Sequence, residues 1–239
     1  MANRILKILI IALFLLFAVF YVAKFGGPSI LKMYIRSGIG DCQTMPLFCK
    51  APGQEMVLPE INKAYLEELK HYRFEDLEIS IPKEIKLVKN DISRAYYKKR
   101  AWRTAGSIAY VFCQPPNTFI ALYPQMKKEG IQDDYAFMQR IMYANYNSVR
   151  TLSDTFFVIM KSIFIPDLGD QKRVQMIKFK GTDKKGFISY NVDSKEHYFD
   201  CNMYDKDGNF FKVYIKDRAG VLDLKKVFTI LSTVKKIPS

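Results

Sequence analysis

Four cysteines and two histidines are the residues best suited to chemistry in this chain of 239 residues, and their spacing narrows what that chemistry can be. Cys42 and Cys49 lie seven positions apart in an irregular stretch rich in Gly, Pro, Cys and Met. That distance suits a small ring closed by a disulfide, and two free thiols are equally compatible with it. Cys113 falls in step with Ala109 and Val111, and Cys201 with Phe199 and Met203. Both therefore read as small apolar side chains directed into a core. No CxxC pair is present, which argues against a thioredoxin-type redox site.

Zinc requires several Cys or His ligands at close spacing. His71 stands alone, and His197 has only Cys201 four residues on, so no metal is expected. The segment Asp205–Asn209 resembles the start of a calcium loop, yet Lys216 occupies the twelfth position where a bidentate Glu belongs. A hairpin turn explains it better, with Gly208 supplying a positive φ. No GxSxG or equivalent nucleophile turn occurs, and Glu67–Glu68 and Asp133–Asp134 read as solvated helix residues and caps. No catalytic or cofactor-binding residue is assigned, and the chain is expected not to be an enzyme.

Two surface candidates remain. In RAYYKKRAWR the cations Arg94, Lys98, Lys99, Arg100 and Arg103 alternate with Tyr96, Tyr97 and Trp102, a mixture suited to phospholipid headgroups or a partner surface. The competing reading is a solvated strand or helix edge whose aromatic side chains face the core. The block from Phe156 to Ile165 is apolar on all sides, so its period does not separate helix from strand, nor core from interface.

The elements that would position these groups begin with Ile5 to Phe25, 21 nearly uninterrupted apolar residues that would make a helix of roughly 31 Å. A retained signal-anchor in the bilayer is expected, because Phe20, Tyr21 and Phe25 stand where a cleavage site would need small residues. The basic residues flanking the run nearly balance. The short basic amino terminus and the four cysteines favour an inner-membrane, single-pass protein with its large domain on the periplasmic side. Three parts follow: anchor and basic-aromatic neck at 1–36, a cysteine-bearing linker at 37–59, and an extracytoplasmic α+β domain at 60–239. The neck could lie along the headgroups. The net charge of +13 suits an anionic surface or acidic partner, and nucleic acid is not expected.

Within the domain, Pro59 opens a helix from Glu60 to about His71, and Phe74 to Ile81 alternates as a strand. Ser107 to Cys113 and Thr118 to Tyr123 read as a hairpin, and Asp133 or Asp134 caps a helix reaching Ser148. Strands follow at Arg173–Lys180, Gly186–Val192, His197–Tyr204 and Phe210–Lys216, with a closing helix from Leu222 to Lys236.

The pieces FEDLEISIP (74–82), DDYAFMQRI (133–141) and NMYDKDGNFFKVYI followed by VFTILSTVKKI give a chain that resembles the PsbP-like family from about Arg73 onward. The resemblance implies a central antiparallel sheet covered by helices on both faces, an αβα sandwich. It also implies a non-catalytic accessory domain that docks on membrane complexes. The expected function is a membrane-anchored accessory subunit that binds protein partners; the alternatives are an envelope hydrolase and an anionic-lipid binder.

Overall fold

The computed structural model describes residues 26–58, 61–94, 97–104 and 106–237, with residues 89–94 and 97–99 described in their backbone alone. The chain divides into two compact units, one comprising residues up to Cys49 together with Ala144–Phe164, the other Lys50–Tyr143 and Ile165–Ser239.

The smaller unit is helical. Helix α1 spans Gly27–Gly38 with Pro28 in its first turn, where the missing N–H costs nothing. The chain then turns through Asp41, whose Oδ1 accepts hydrogen bonds from the Gln43 and Thr44 amides and whose carboxylate meets Arg36 Nε at 3.1 Å. A 3-10 turn at Pro46–Cys49 buries Leu47 and Phe48, and Cys49 is joined to Cys42 by a disulfide. Asn145 Nδ2 donates to Cys49 O, tying the ring to the second segment of the unit. In the numbering used below, helix α5 (Leu152–Phe164) belongs to this unit and packs on α1. The apolar block is therefore a helix: Phe157, Val158 and Met160 are buried, while Leu152 and Ile163 are exposed.

The larger unit is built on a sheet of eight strands among the described residues. In chain order its elements are β1 (Met56–Val57), α2 (Lys63–Glu68), β2 (Leu69–Arg73), β3 (Leu77–Pro82), β4 (Lys86–Arg94), β5 (Tyr97–Thr104) and β6 (Ser107–Gln114). They continue with α3 (Thr118–Leu122), α4 (Asp134–Tyr143), β7 (Gln175–Lys180), β8 (Lys184–Asn191), β9 (His197–Asp205), β10 (Phe210–Asp217), α6 (Leu224–Ser232) and β11 (Lys235–Lys236). The large sheet runs β1-β7-β8-β9-β10-β6-β5-β4, and a second sheet runs β11-β3-β2. Every pair is antiparallel except β1 with β7.

Period-two alternation decides which face each side chain joins. Phe199, Cys201 and Met203 of β9 and Phe211, Val213 and Ile215 of β10 share one face. Against it pack Leu77, Ile79 and Ile81 of β3 and Val227, Phe228, Ile230 and Leu231 of α6. On the opposite face α3 and α4 contribute Phe119, 5.0 Å from the Phe210 ring, and Tyr135, 5.8 Å from that of Phe187. The β9–β10 turn closes as its sequence suggests, with Gly208 at φ +81 and Asp205 Oδ1 accepting from the Asp207 and Asn209 amides. Gly186 is required by close approach, because a Cβ there would strike Asn202 O and Met203 Cα of the neighbouring strand.

The architecture corrects the expected one. In place of a purely antiparallel sheet sandwiched by helices there is a mixed eight-stranded sheet, one face of which is covered partly by a second sheet. Nor does an N-terminal transmembrane helix feature in it: among the described residues no helix is long and apolar enough to cross a membrane. The 13 residues of α5 extend only about 20 Å, against about 30 Å of hydrocarbon. Ile5 to Phe25 lies outside the described residues. Several local readings also change, and the helix opened at Asp134 ends at Tyr143, short of Ser148. Thr118–Leu122 is a helix and not the second arm of a hairpin, because Asp134 Oδ1 accepts the Ile120 amide from fourteen residues away. The helix begun near Lys63 gives way to β2 at Leu69, and α6 stops at Ser232, leaving Lys235 and Lys236 to pair with β3.

In the helical unit, Lys161 is fully buried and its Nζ donates to Ala144 O at 2.9 Å. Burial lowers its pKa from 10.5 to about 7. Between those values the unfolded chain holds a proton that the folded chain lacks, so stability rises with pH across the window, by roughly 5 kcal/mol in all. Replacing Lys161→Met should raise stability at neutral pH by about 1–4 kcal/mol and abolish most of that rise. Urea denaturation of both proteins at neutral pH and near pH 9 checks it.

Candidate docking cleft

The β7–β8 hairpin forms a wall between two open clefts. Its turn, Gly181, Thr182 and Asp183, is closed by the Gly181 amide donating to Lys184 O at 2.7 Å. On one side lies an apolar cleft of about 590 Å³ lined by Val57, Leu58, Ile61 and Phe228 together with Glu55 and Ser232. On the other lies a cleft of about 460 Å³ that carries both signs of charge, with Asp133, Asp183, Asp205 and Asp207 facing Lys180, Lys185 and Lys206 around Asn117 and Tyr135.

Each wall is held by a group that the fold has already spent. The β1 segment is fixed by hydrogen bonds from Leu58 N to Lys180 O and from Gly53 N to Met176 O, each 3.0 Å. Lys178 Nζ adds an ion pair to Glu55 at 2.9 Å, and that hydrogen bond holds the Glu55 carboxyl below its usual range. Lys50 donates to Gln171 O, Lys172 O and Val174 O, tying the chain ahead of β1 to the approach of β7. At the floor, buried Lys184 donates to Leu231 O and Ser232 O, capping the negative end of α6 and fixing it to the start of β8. Burial lowers the pKa of Lys184. Phe228 stands edge-on to Phe179, ring centroids 5.5 Å apart, so the cleft floor belongs to the core.

By contrast the apolar lip is open. Val57 is 79% exposed and Ile61 49%. A Cβ added at Gly181 would lie 2.6 Å from Leu58 Cδ1, so glycine lets the hairpin close down against this lip. The sequence signal for the site was slight, two apolar residues in an irregular linker.

The most polar region of the interior lies elsewhere, on the sheet face opposite α6. Lys212 Nζ is 2.7 Å from both oxygens of Asp200, aligned to donate to Oδ2, and donates also to Asn202 Oδ1 at 3.1 Å. Asp200 and Asn202 have no exposed surface. Burial pushes the Asp200 carboxyl up and the Lys212 ammonium down, and each partner draws the other back toward its charged form. Ser189, cross-strand from Asp200, is also buried, and its Oγ makes no hydrogen bond among the described residues. Such a cluster fixes strand register.

The residues singled out in the sequence are dispersed. Cys42 and Cys49 are bonded, with Cα atoms 5.6 Å apart, whereas Cys113 and Cys201 are free and burial raises both thiols. Arg94 ends β4 and Tyr97, Lys98 and Lys99 begin β5; only their backbone is described. Arg100 is buried and paired bidentately with Asp76 at 3.0 and 2.5 Å. Trp102 has no exposed surface and stands edge-on to Tyr72 and Phe74 at 5.4 and 5.9 Å. Arg103 is exposed. The alternation along β5 therefore turns Arg100 and Trp102 inward and leaves Arg103 outside, so these three do not form one surface. His197 Nδ1 lies 2.7 Å from Leu222 O, and no group of three metal-ligating side chains occurs among the described residues.

Breaking the buried pair on one side should be costly. Lys212→Met is expected to destabilise by about 3–5 kcal/mol, and the double variant Asp200→Asn, Lys212→Met to recover part of that loss. Chemical denaturation of the two variants beside the wild type measures the difference. No family model matches this chain, and no curated protein matches it.

Proposed function

We propose that this chain is a non-catalytic accessory protein that works outside the cytoplasm beside a membrane, docking a segment of a protein partner across the β7–β8 hairpin. One observation carries the reading: an exposed apolar cleft and a cleft of mixed charge share a single wall of four residues, 180–183. An amphipathic segment laid over that wall would bury apolar side chains against Val57, Leu58 and Ile61 and set charged ones beside Lys185, Asp183 and Asp205. At about 25 cal/mol per Å², covering a few such side chains gives useful affinity only when a large, already rigid surface takes part. The hydrogen-bonded walls supply that rigidity.

A place outside the cytoplasm is supported by the Cys42–Cys49 disulfide, and a place at a membrane by the apolar composition of residues 5–25. The non-catalytic reading is supported by where the strongest polar groups are engaged: Asp200 with Lys212, Arg100 with Asp76, and Lys184 with the end of α6. It agrees with what the PsbP-like resemblance implies about accessory roles.

The double variant Val57→Asp, Ile61→Asp places charge on exposed positions and should leave stability within about 0.5 kcal/mol of wild type. Its affinity for the partner should fall at least about tenfold. Proteins recovered with the wild-type chain from gently solubilised membranes should be lost with this variant and kept with Lys127→Glu, a change at an exposed site off the clefts. Equal recovery by all three, or recovery of the wild type alone, would contradict the reading.

A further inference from the structure

Helix α1 carries a second exposed apolar surface, independent of the cleft. Ile30, Met33 and Tyr34 are 59%, 65% and 65% exposed, while Ile35 on the other side is buried. Spacing of three and four places the exposed three on one face of the helix. Among the described residues, five of the thirteen large apolar side chains that are exposed lie in the small helical unit, the other two being Leu152 and Ile163 of α5. Those two are eleven positions apart, about three turns, and so share a side of α5. Solvated helices normally present polar residues on such a face.

What covers the α1 face is indicated by its chemistry and its place in the chain. The helix starts two residues after a 21-residue apolar run, and the first 36 residues contain five Lys/Arg and no Asp/Glu. An apolar ridge ending in a tyrosine and an arginine, on a chain segment without acidic residues, matches the boundary between acyl chains and anionic headgroups. Lys32 is turned the other way, its Nζ donating to Asn147 O and lying 5.9 Å from the Tyr146 ring centre. The polar side of α1 is thus fastened within its own unit, and the apolar side is left outward. We infer that α1 lies in the plane of a phospholipid surface, with Ile30, Met33 and Tyr34 in the acyl-headgroup boundary. The disulfide and the bond from Asn145 to Cys49 would then hold the loop after α1 in one shape beside the membrane.

The test is a nitroxide scan of the full chain in vesicles of equal parts phosphatidylcholine and phosphatidylglycerol. In a chain that carries Cys113→Ala and Cys201→Ala, single cysteines are introduced for labelling at the exposed positions Ser29, Ile30, Met33 and Tyr34, with Lys206 in the sheet unit as a reference, and collision with oxygen is compared with collision with a water-soluble nickel chelate. Labels at positions 30, 33 and 34 should favour oxygen, position 29 should favour it less, and position 206 should favour nickel. Two results overturn the inference: nickel preference at 30, 33 and 34 as at 206, which leaves the face in water, or low collision with both reagents there, which means a protein covers it. As a second measurement that does not depend on labelling, Ile30→Ser, Met33→Ser, Tyr34→Ser should keep the wild-type melting temperature and increase amide exchange of α1 in vesicles severalfold. Unchanged exchange contradicts the inference.

Discussion

The ion pair between Lys212 and Asp200 is the constraint on which the larger unit depends. Both residues sit in the central strands of the eight-stranded sheet, and neither charge can be left alone there without a penalty of several kcal/mol. Their pairing, completed by Asn202, is compatible with only one register of β10 against β9. A shift by one residue would put Val213 or Ile215 opposite the carboxylate and turn Lys212 into the apolar core. With that register fixed, the flanking strands follow, and with them the hairpin that divides the two clefts.

The same economy runs through the rest of the unit. Lys50 and Lys184 each satisfy two or more backbone carbonyls, and Arg100 meets Asp76 with both of its terminal nitrogens. Side chains that in isolation look reactive are structural in this setting, because a buried charge must be answered by a partner. What is left facing outward is apolar at β1 and along α1, and both charges at once around the β9–β10 turn. A molecule so arranged is suited to binding by shape and burial.

Much of the sheet was legible in the sequence wherever one strand face is core and the other is not. The alternation around Phe199, Cys201 and Met203 and around Phe211, Val213 and Ile215 marks β9 and β10 to within a residue, and Gly208 marks the turn between them. Elements decided by distant groups were not legible. Nothing near Thr118 announces a helix whose amide is capped by Asp134, and nothing in Lys235–Lys236 announces a strand that pairs with β3. The run around Arg100 and Trp102 looks like a basic-aromatic surface because composition cannot show which residues alternate inward; Asp76 and the ring pair of Tyr72 and Phe74 decide that. The cleft itself is made by a two-residue parallel pairing and a glycine turn, features too short to carry a periodic signal. The disulfide was one of two readings that the spacing of Cys42 and Cys49 allowed, and the structure adopts it.

On this reading a protein partner occupies the apolar side of the β7–β8 wall. A photo-activated phenylalanine analogue placed at Val57 in the full chain, expressed in its own cells, tests it at the residue level. One dominant cross-linked protein is expected from position 57 and none from the same analogue at Lys127. Cross-links to lipid alone, or the same products from both positions, would contradict it.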